Sequence, residues 1–546
     1  MELIYRNFTR ETLDGQGRLT AIEFDPPENF NFGFDVVDAL ARKCPDKTAM
    51  IHLSNDKQER RFTFSQISRY SNRAANFFSS LGIGKGDVVM LVLRRNYQFW
   101  ISIVALHKLG AIVIPATNQL QKKDFVYRFN AAKVKAIVCT HDGEVCEHVE
   151  ASLPESPSMK LLITANGRRE GWLDLDEGME RSSDVFERPV VTNSRDDLML
   201  MYFTSGTTGY PKIAAHSFTY PLGHVVTARY WHNVDPDGVH FAISDTGWGK
   251  AVWGKLYGQW LCETCVFVYD FDRFHPDDVL KVIQDYKITT FCAPPTMYRF
   301  FIKEDITKYD LSALKYATIA GEALNPEVFK QFYEATGLKL MEGFGQTETT
   351  LTVANLRGMT PKPGSMGKPN PQYEIELVLA DGSFARPGEV GEIVVRTDHG
   401  VPVGLFKEYY LDEGKTLEAW HDGLYHTGDM AWKDEDGYFW YVGRTDDLIK
   451  SSGYRIGPFE IESVLMEHPS VLECAVTGVP DPIRGQAVKA TIVLAKGYVA
   501  SEELKKEIQN YVKEHTAPYK YPRVIEFVAE LPKTISGKIK RVDIRK

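Results

Sequence analysis

The chain has 546 residues, 43% of them apolar and 12% aromatic, with a formal net charge of −9. That length calls for several folded units of about 100–200 residues each, and the composition excludes a disordered or fibrous chain and disfavours a general nucleic-acid binder. No apolar run approaches the ~18–20 residues of a membrane helix, and seven scattered cysteines, an odd number, do not make a disulfide framework.

The start, Met1–Gly15, carries Arg6 and Arg10 but also Glu2, Glu11 and Asp14, with no apolar secretory core. It predicts a cytoplasmic protein, unless an organellar leader has been trimmed upstream. Apolar runs at 87–93, 112–115, 135–139, 265–269, 289–293 and 316–320 read as strands, with amphipathic segments between them as helices. The fold class is therefore α/β: a large N-terminal domain of layered β-sheets and helices, with ligand-binding loops at strand ends. His216, His224, His232 and His240 recur every eight residues, which turns about 80° on a helix and lines no single face for metal ligation. They read as structural or surface histidines. Cys262 and Cys265 form a lone CxxC in an apolar stretch without a second pair, which does not make a zinc or redox site.

An apolar strand at 198–203 empties into Thr204-Ser205-Gly206-Thr207-Thr208-Gly209-Tyr210-Pro211-Lys212. Glycines turn the backbone so that successive N–H groups point inward, and hydroxyls and a lysine add donors, which suits a phosphate cradle. It is not the Walker pattern, because no Ser or Thr follows Lys212. Further on, Ala320-Gly321-Glu322-Ala323-Leu324 ends a strand before a helix capped by Asn325 and opened by Pro326. A strand at 340–342 runs into a turn, Gly343-Phe344-Gly345-Gln346-Thr347-Glu348-Thr349, that offers an aromatic face, a hydroxyl and a carboxylate together. The last hundred residues read as a separate small α/β unit. Pro458 opens a helix with Ile461, Val464 and Leu465 on one face, and a second helix from about Ser501 carries Leu504, Ile508 and Val512. From Asp446 onward basic residues exceed acidic ones by 2, against an excess of 11 acidic residues before it.

These segments, with Tyr425-His426-Thr427-Gly428-Asp429, Gly443-Arg444 and the tail Pro532-Lys533-Thr534-Ile535-Ser536-Gly537-Lys538, resemble in order the motifs of the adenylate-forming enzymes. That family comprises acyl-CoA synthetases, peptide-synthetase adenylation domains and luciferases. The likeness covers the chain from about residue 30 to its end. Ser452-Gly453-Tyr454-Arg455-Ile456-Gly457-Pro458 and residues 516–523 are most similar to the medium-chain acyl-CoA synthetases.

The resemblance implies residues 1–445 as a domain holding ATP and the acid, and residues 446–546 as a small mobile domain hinged at Asp446. It implies an ATP site of Thr204–Lys212, Gly321, Glu322, Ala323, Glu342, Gly343, Phe344, Gly345, Gln346, Thr347, Asp429, Arg444, Arg455 and Lys538. Within it Phe344 stacks on adenine, Thr347 bonds the α-phosphate, Asp429 and Arg444 hold the ribose, and Glu348 holds Mg2+ against the triphosphate, as a hard cation prefers. Thr204, Lys212, Glu348 and Lys538 are the implied catalytic residues, with Lys538 touching the carboxylate and α-phosphate during adenylation. Gln119, Ser452, Gly453, Tyr454, Arg484, Lys513, Tyr521, Pro522 and Arg523 are the implied coenzyme A contacts. Trp248, Lys250, Trp253, Cys292, Gly321 and Thr347 are the implied acyl contacts.

Where the medium-chain branch often has aliphatic residues after the Gly-Trp pair, this chain has Lys250 and Trp253. A bulky Trp253 would shorten the tunnel and favour short or branched acids. The expected partners are a carboxylic acid, ATP and coenzyme A, with no nucleic acid and no membrane span; homo-oligomerisation stays open. An enzyme loading a carrier-protein thiol shares the first reaction, and a nucleotide-binding regulator without chemistry is the third reading. Intact Lys212, Glu348, Asp429 and Lys538 speak against the last, and Arg484 and Arg523 favour free coenzyme A over a carrier.

Overall fold

A computed structural model describes residues 2–190, 192–204, 210–321, 324–452, 454–533 and 539–545, with residue 455 described by its backbone alone. Two large sheets organise the N-terminal domain. One has eight strands in the order 408–409, 212–217, 198–204, 112–115, 88–92, 136–140, 161–165 and 173–174. The other has nine, in the order 368–369, 351–354, 340–345, 316–319, 290–293, 239–242, 265–269, 48–53 and 59–63. Their inner strands pair in parallel. Parallel strands are covered on both faces, which is why Val88–Val92 and Cys265–Tyr269 are unbroken apolar runs, buried throughout.

The helix Gln98–Lys108 is buried at every position and belongs to a core that includes Val89 and Val113 of the first sheet and Met50 and Val266 of the second. Its Trp100 donates from Nε1 to the Lys255 carbonyl at 2.7 Å. Lys108 ends the helix without exposure, since its ammonium reaches Asp38 at 2.6 Å, Asn72 at 2.6 Å and Ser71 at 3.0 Å, and a buried charge persists only when paired in this way.

A third sheet joins strands 375–378, 390–396 and 424–433, with 439–444 and 420–421 alongside the last of these. Beyond it the chain builds the small α/β unit that the sequence predicts, with a core of its own from Ile449 to Ile525. Its helices are Pro458–Glu467 and Glu502–His515, the second capped by Ser501, whose hydroxyl accepts from Leu504 N at 3.1 Å, and packed through Leu504, Ile508 and Val512. Asn325 meets this unit as well as its own helix. Its side chain accepts from Glu327 N at 2.7 Å, capping Pro326–Thr336, and donates to the Ser463 carbonyl at 3.1 Å.

Two expectations change. The strand expected at 340–342 continues to Gly345, because Gly343 and Phe344 pair with Ala354 and Val353 of the returning strand. A Cβ at Gly343 would lie 2.6 Å from the Trp231 ring, and one at Gly345 would lie 2.4 Å from the Thr350 carbonyl and 2.5 Å from Trp253. These glycines make room for indoles instead of making the turn, which begins at Gln346. The four histidines at eight-residue spacing are all buried, so none is a surface residue. Among the described residues no helix is long and apolar enough to cross a membrane.

Candidate active site

The strands Leu198–Thr204 and Lys212–Ser217 pair antiparallel with Thr204 opposite Lys212. The predicted phosphate loop is therefore flanked by paired strands, and Lys212 is the first residue of the return strand instead of the end of the loop. Tyr210 stacks on Tyr127, with ring centroids 4.5 Å apart, and Tyr127 Oη donates to the Pro211 carbonyl at 2.8 Å. Lys212 Nζ lies 4.1 Å above the Tyr409 ring centre and donates to Tyr409 Oη at 3.1 Å; that hydroxyl in turn donates to Glu348 Oε1 at 2.9 Å. Burial lowers the Lys212 pKa against the opposing pull of Glu348. Burial first, then Glu348, pushes the Tyr409 phenol up, so it stays a donor. Tyr409 escaped the sequence reading because it belongs to a two-residue edge strand, Glu408–Tyr409, that pairs with Ala214 and Ala215 from almost two hundred residues away.

The Gln346–Thr350 turn is braced from several sides. Gln346 N donates to Thr349 Oγ1 at 2.9 Å, the Glu348 carbonyl accepts from Phe406 N at 2.7 Å, and the Thr347 carbonyl accepts from His216 Nε2 at 2.9 Å. The Gln346 amide donates to the Thr427 carbonyl at 2.8 Å and to Asp429 Oδ2 at 2.5 Å, and accepts from Tyr425 Oη at 2.8 Å. Asp429 sits directly across the strand pair from Arg444, which reaches it at 3.4 Å, and its other oxygen accepts from Tyr441 Oη at 2.9 Å. Although burial pulls it down, Asp429 and Asp446 hold the Arg444 guanidinium above its ordinary pKa. The Phe344 ring lies 6.1 Å from that of Tyr441. Five predicted residues, Phe344, Gln346, Thr347, Asp429 and Arg444, are thus drawn into one hydrogen-bonded region, with Tyr425 of the quoted motif and with Tyr441, which no sequence signal singled out. Glu392 seats the same region, accepting from Gly428 N at 2.8 Å and meeting His426 Nδ1 at 3.1 Å.

Glu342 is buried beneath this turn. Its Oε1 accepts from Leu324 N at 3.2 Å, and burial raises its pKa to about 8.

The loop and helix that carry the implied acyl contacts Trp248, Lys250 and Trp253 lie alongside. Asp245 Oδ1 accepts from Gly247 N at 2.8 Å, and Arg95 lies 3.5 Å from the same carboxylate and donates to the Phe271 carbonyl. Trp248 caps the helix Gly249–Lys255. A Cβ at Gly249 would be 3.7 Å from Thr347 Cγ2, Lys250 Nζ donates to the Ala320 carbonyl at 2.6 Å next to Gly321 (φ +110°), and Trp253 packs on Gly345. Cys292 belongs to the same core cluster as Trp253 and Ala320. Lys250 and Trp253 thus lie on a helix whose first residue faces Thr347. Arg95 is an unpredicted support of the loop before it.

On the small unit, Lys513 Nζ lies 4.2 Å from the Tyr521 ring centre, and Arg523 donates to Tyr521 Oη at 2.6 Å, which makes a cationic patch around one phenol. Tyr454 stacks on Tyr519 at 4.1 Å, the Arg484 carbonyl accepts from Ser452 N at 2.9 Å, and the Pro522 carbonyl accepts from Gln509 at 3.0 Å. Gln119 lies on the large domain, and no contact among the described residues joins it to the patch. Asp446 Oδ1 is 3.8 Å from Arg444 Nε, and its carbonyl accepts from Arg545 at 2.9 Å. Ser205, Gly206, Thr207, Thr208, Gly209, Glu322, Ala323, Gly453, Lys538 and the Arg455 side chain lie outside the described residues.

The AMP-binding enzyme family matches residues 37–410, and the AMP-binding enzyme C-terminal domain matches residues 460–538. The chain belongs to the AMP-binding enzyme family. It is 42% identical over 529 residues to the human protein named acyl-coenzyme A synthetase ACSM3, mitochondrial, covering 95% of this chain and 90% of the relative. It is also 42% identical over 544 residues to the mouse acyl-coenzyme A synthetase ACSM4, mitochondrial, covering 98% and 93%. Among solved structures, the anthranilate CoA ligase AuaEII in complex with anthranoyl-AMP superposes with a TM-score of 0.85 at 30% identity over 95% of this chain and 97% of that one. That solved structure has a large N-terminal and a small C-terminal domain. The expectation of a cytoplasmic protein is corrected by the same finding, since the relatives are mitochondrial by name. The acids at Glu2, Glu11 and Asp14 argued against a secretory leader and carried no information about this compartment.

Proposed function

We propose that this protein is an acyl-CoA synthetase that activates a short, medium or branched carboxylic acid as its acyl-adenylate and transfers the acyl group to coenzyme A. In the first reaction a carboxylate oxygen attacks the α-phosphorus of ATP and pyrophosphate leaves. In the second the coenzyme A sulfur attacks the acyl carbonyl and AMP leaves. The observation that carries this reading is the meeting of Lys212, Tyr409 and Glu348 at the paired strands that flank the phosphate loop, next to the Gln346–Asp429–Arg444 network. One end offers charge for a polyphosphate and the other acceptors for ribose hydroxyls.

Glu348 suits a magnesium ion. Its Oε1 is taken by Tyr409, and no hydrogen bond or ion pair within the described residues uses Oε2. Among the described residues no cluster of three metal-ligating side chains exists, so the ion would take most of its oxygens from phosphate and water, as Mg2+ commonly does. Bound there, it would neutralise charge on the departing pyrophosphate. The chain's own task is to orient the nucleotide: Asp429 and Arg444 at the ribose, Phe344 beside the adenine, Thr347 at the α-phosphate. Lys538 would supply the positive charge for the pentavalent phosphorus.

The same lysine would block the thiol's approach, so we place a hinge at Asp446, between domains 1–445 and 446–546, and a rotation of the small domain between reactions. Lys513, Tyr521 and Arg523 form a patch suited to the phosphates of coenzyme A, which supports the free thiol over a carrier protein. The mitochondrial relatives support a matrix location. The test is pyrophosphate release from ATP and Mg2+ across a panel of acids, with and without coenzyme A. Acid-dependent release followed by coenzyme A-dependent thioester supports the reading, and no release with any acid ends it.

A further inference from the structure

Inward from Thr347 runs a chain of buried rings. His216, which holds the Thr347 carbonyl, lies 4.0 Å from Tyr220 between ring centroids; Tyr220 lies 4.7 Å from His224, and His224 lies 6.1 Å from Trp253. None of the four is more than 6% exposed. Yet His216 Nδ1, Tyr220 Oη, both nitrogens of His224 and Trp253 Nε1 have no hydrogen-bond partner of normal length and angle. A bent contact between Trp253 and Tyr220 would occupy two of these atoms and leave the three imidazole nitrogens unserved. Buried polar atoms in folded proteins are almost always satisfied by protein, water or ligand. A concentration of them along one run, beginning at His216 on the Thr347 carbonyl, calls for a hydrogen-bonding partner that the protein itself does not supply.

The groups along this run are uncharged. Burial holds His216 down to about 3 and His224 well below the ordinary imidazole value, so both rings are neutral, and burial pushes the Tyr220 phenol up, so it keeps its proton. The run thus presents donors and acceptors without a cation. A tail carboxylate would be buried there unpaired, which is strongly disfavoured, whereas a plain alkyl tail would leave the polar atoms dry, at a cost for each.

We propose that the acid this enzyme prefers carries an uncharged hydrogen-bonding group on its tail, such as a hydroxyl, seated among Tyr220, His224 and Trp253. This rests on the reading that the acyl chain enters between Thr347 and Trp253.

The experiment compares acids of equal heavy-atom count on the full chain with ATP, Mg2+ and coenzyme A: 4-hydroxybenzoate against 4-methylbenzoate, and 6-hydroxyhexanoate against heptanoate. In at least one pair the hydroxylated acid is expected to show a kcat/KM roughly tenfold higher, the scale of a satisfied buried hydrogen bond. Tyr220→Phe and His224→Phe, tested singly, are expected to bring that ratio toward one. Because both acids are measured on the same preparation, partial misfolding of a variant cancels in the ratio. Methyl acids equal or better in both pairs, or a ratio unmoved by both substitutions, would overturn the proposal. No pyrophosphate from any acid removes the adenylation reading itself, and this inference falls with it.

Discussion

On the nucleotide side of the candidate site the side chains are bound to one another: Asp429 takes Tyr441 at 2.9 Å and Gln346 at 2.5 Å, and Gln346 takes Tyr425 at 2.8 Å. On the tail side, around Trp253 and His224, buried imidazole nitrogens are left without partners. A network closed by the protein alone holds its geometry before the ligand arrives, which is how electrostatic and positional catalysis is prepared. An open set is completed by whichever tail supplies the missing partners. The first region therefore reads as common to the chemistry and the second as selective.

That contrast breaks most visibly at the lysine. Lys538→Ala should slow acid-dependent exchange of pyrophosphate into ATP by about 100- to 1,000-fold, the scale of losing a transition-state donor, while thioester formation from supplied acyl-adenylate proceeds. If exchange keeps its rate, Lys538 does not attend the first reaction. Asp429→Ala comes next: it removes an acceptor and leaves Arg444 and Tyr441 without their partner, so kcat/KM for ATP should fall by about 10- to 100-fold. The relative rates with different acids should not move. A change in acid preference would mean that the two regions are not separate. Tyr409→Phe deletes the hydroxyl between Lys212 and Glu348 and should lower kcat/KM for ATP by about tenfold, with a higher Mg2+ requirement as the measured sign.

Legibility in the sequence followed the range of the interactions. The helix Glu502–His515 and its Ser501 cap were readable because a periodicity of apolar residues and a capping hydroxyl act within one or two turns. The strand Cys265–Tyr269 was readable because burial on both faces leaves no alternation to misread. Gly343 and Gly345 misled, since glycine announces a turn locally, whereas here Trp231 and Trp253 exclude a side chain from a strand. Tyr409 and Arg95 were silent because their partners, Glu348 and Asp245, lie far away along the chain. The roles of Asp429 and Arg444 came from family likeness and not from composition. The buried state of His216 and His224 was hidden because an eight-residue spacing says nothing about what packs on top.

Selectivity should respond to Trp253→Gly. If the indole closes the tail pocket against Gly345, its removal should shift the preferred acid toward longer chains, with a roughly several-fold change in the ratio of kcat/KM between octanoate and butyrate. Unchanged preference would mean that the pocket ends elsewhere.

The smallest effect concerns an unsatisfied atom of a buried carboxyl beside the nucleotide-side network. Glu342 Oε2 is buried without a partner while Oε1 accepts from Leu324 N, and burial raises the pKa from 4.5 to about 8. Because the folded value lies above the unfolded one, the carboxyl's contribution to stability is fully present below about 4.5 and is lost as pH rises through about 8. Glu342→Gln keeps the shape and the acceptor but cannot ionise. It should therefore unfold at nearly the native temperature at pH 5 and about 2–4 °C higher than the native chain at pH 9, where the glutamate must carry its charge in a dry site. Equal shifts at both pH values would mean that Glu342 is already ionised and paired.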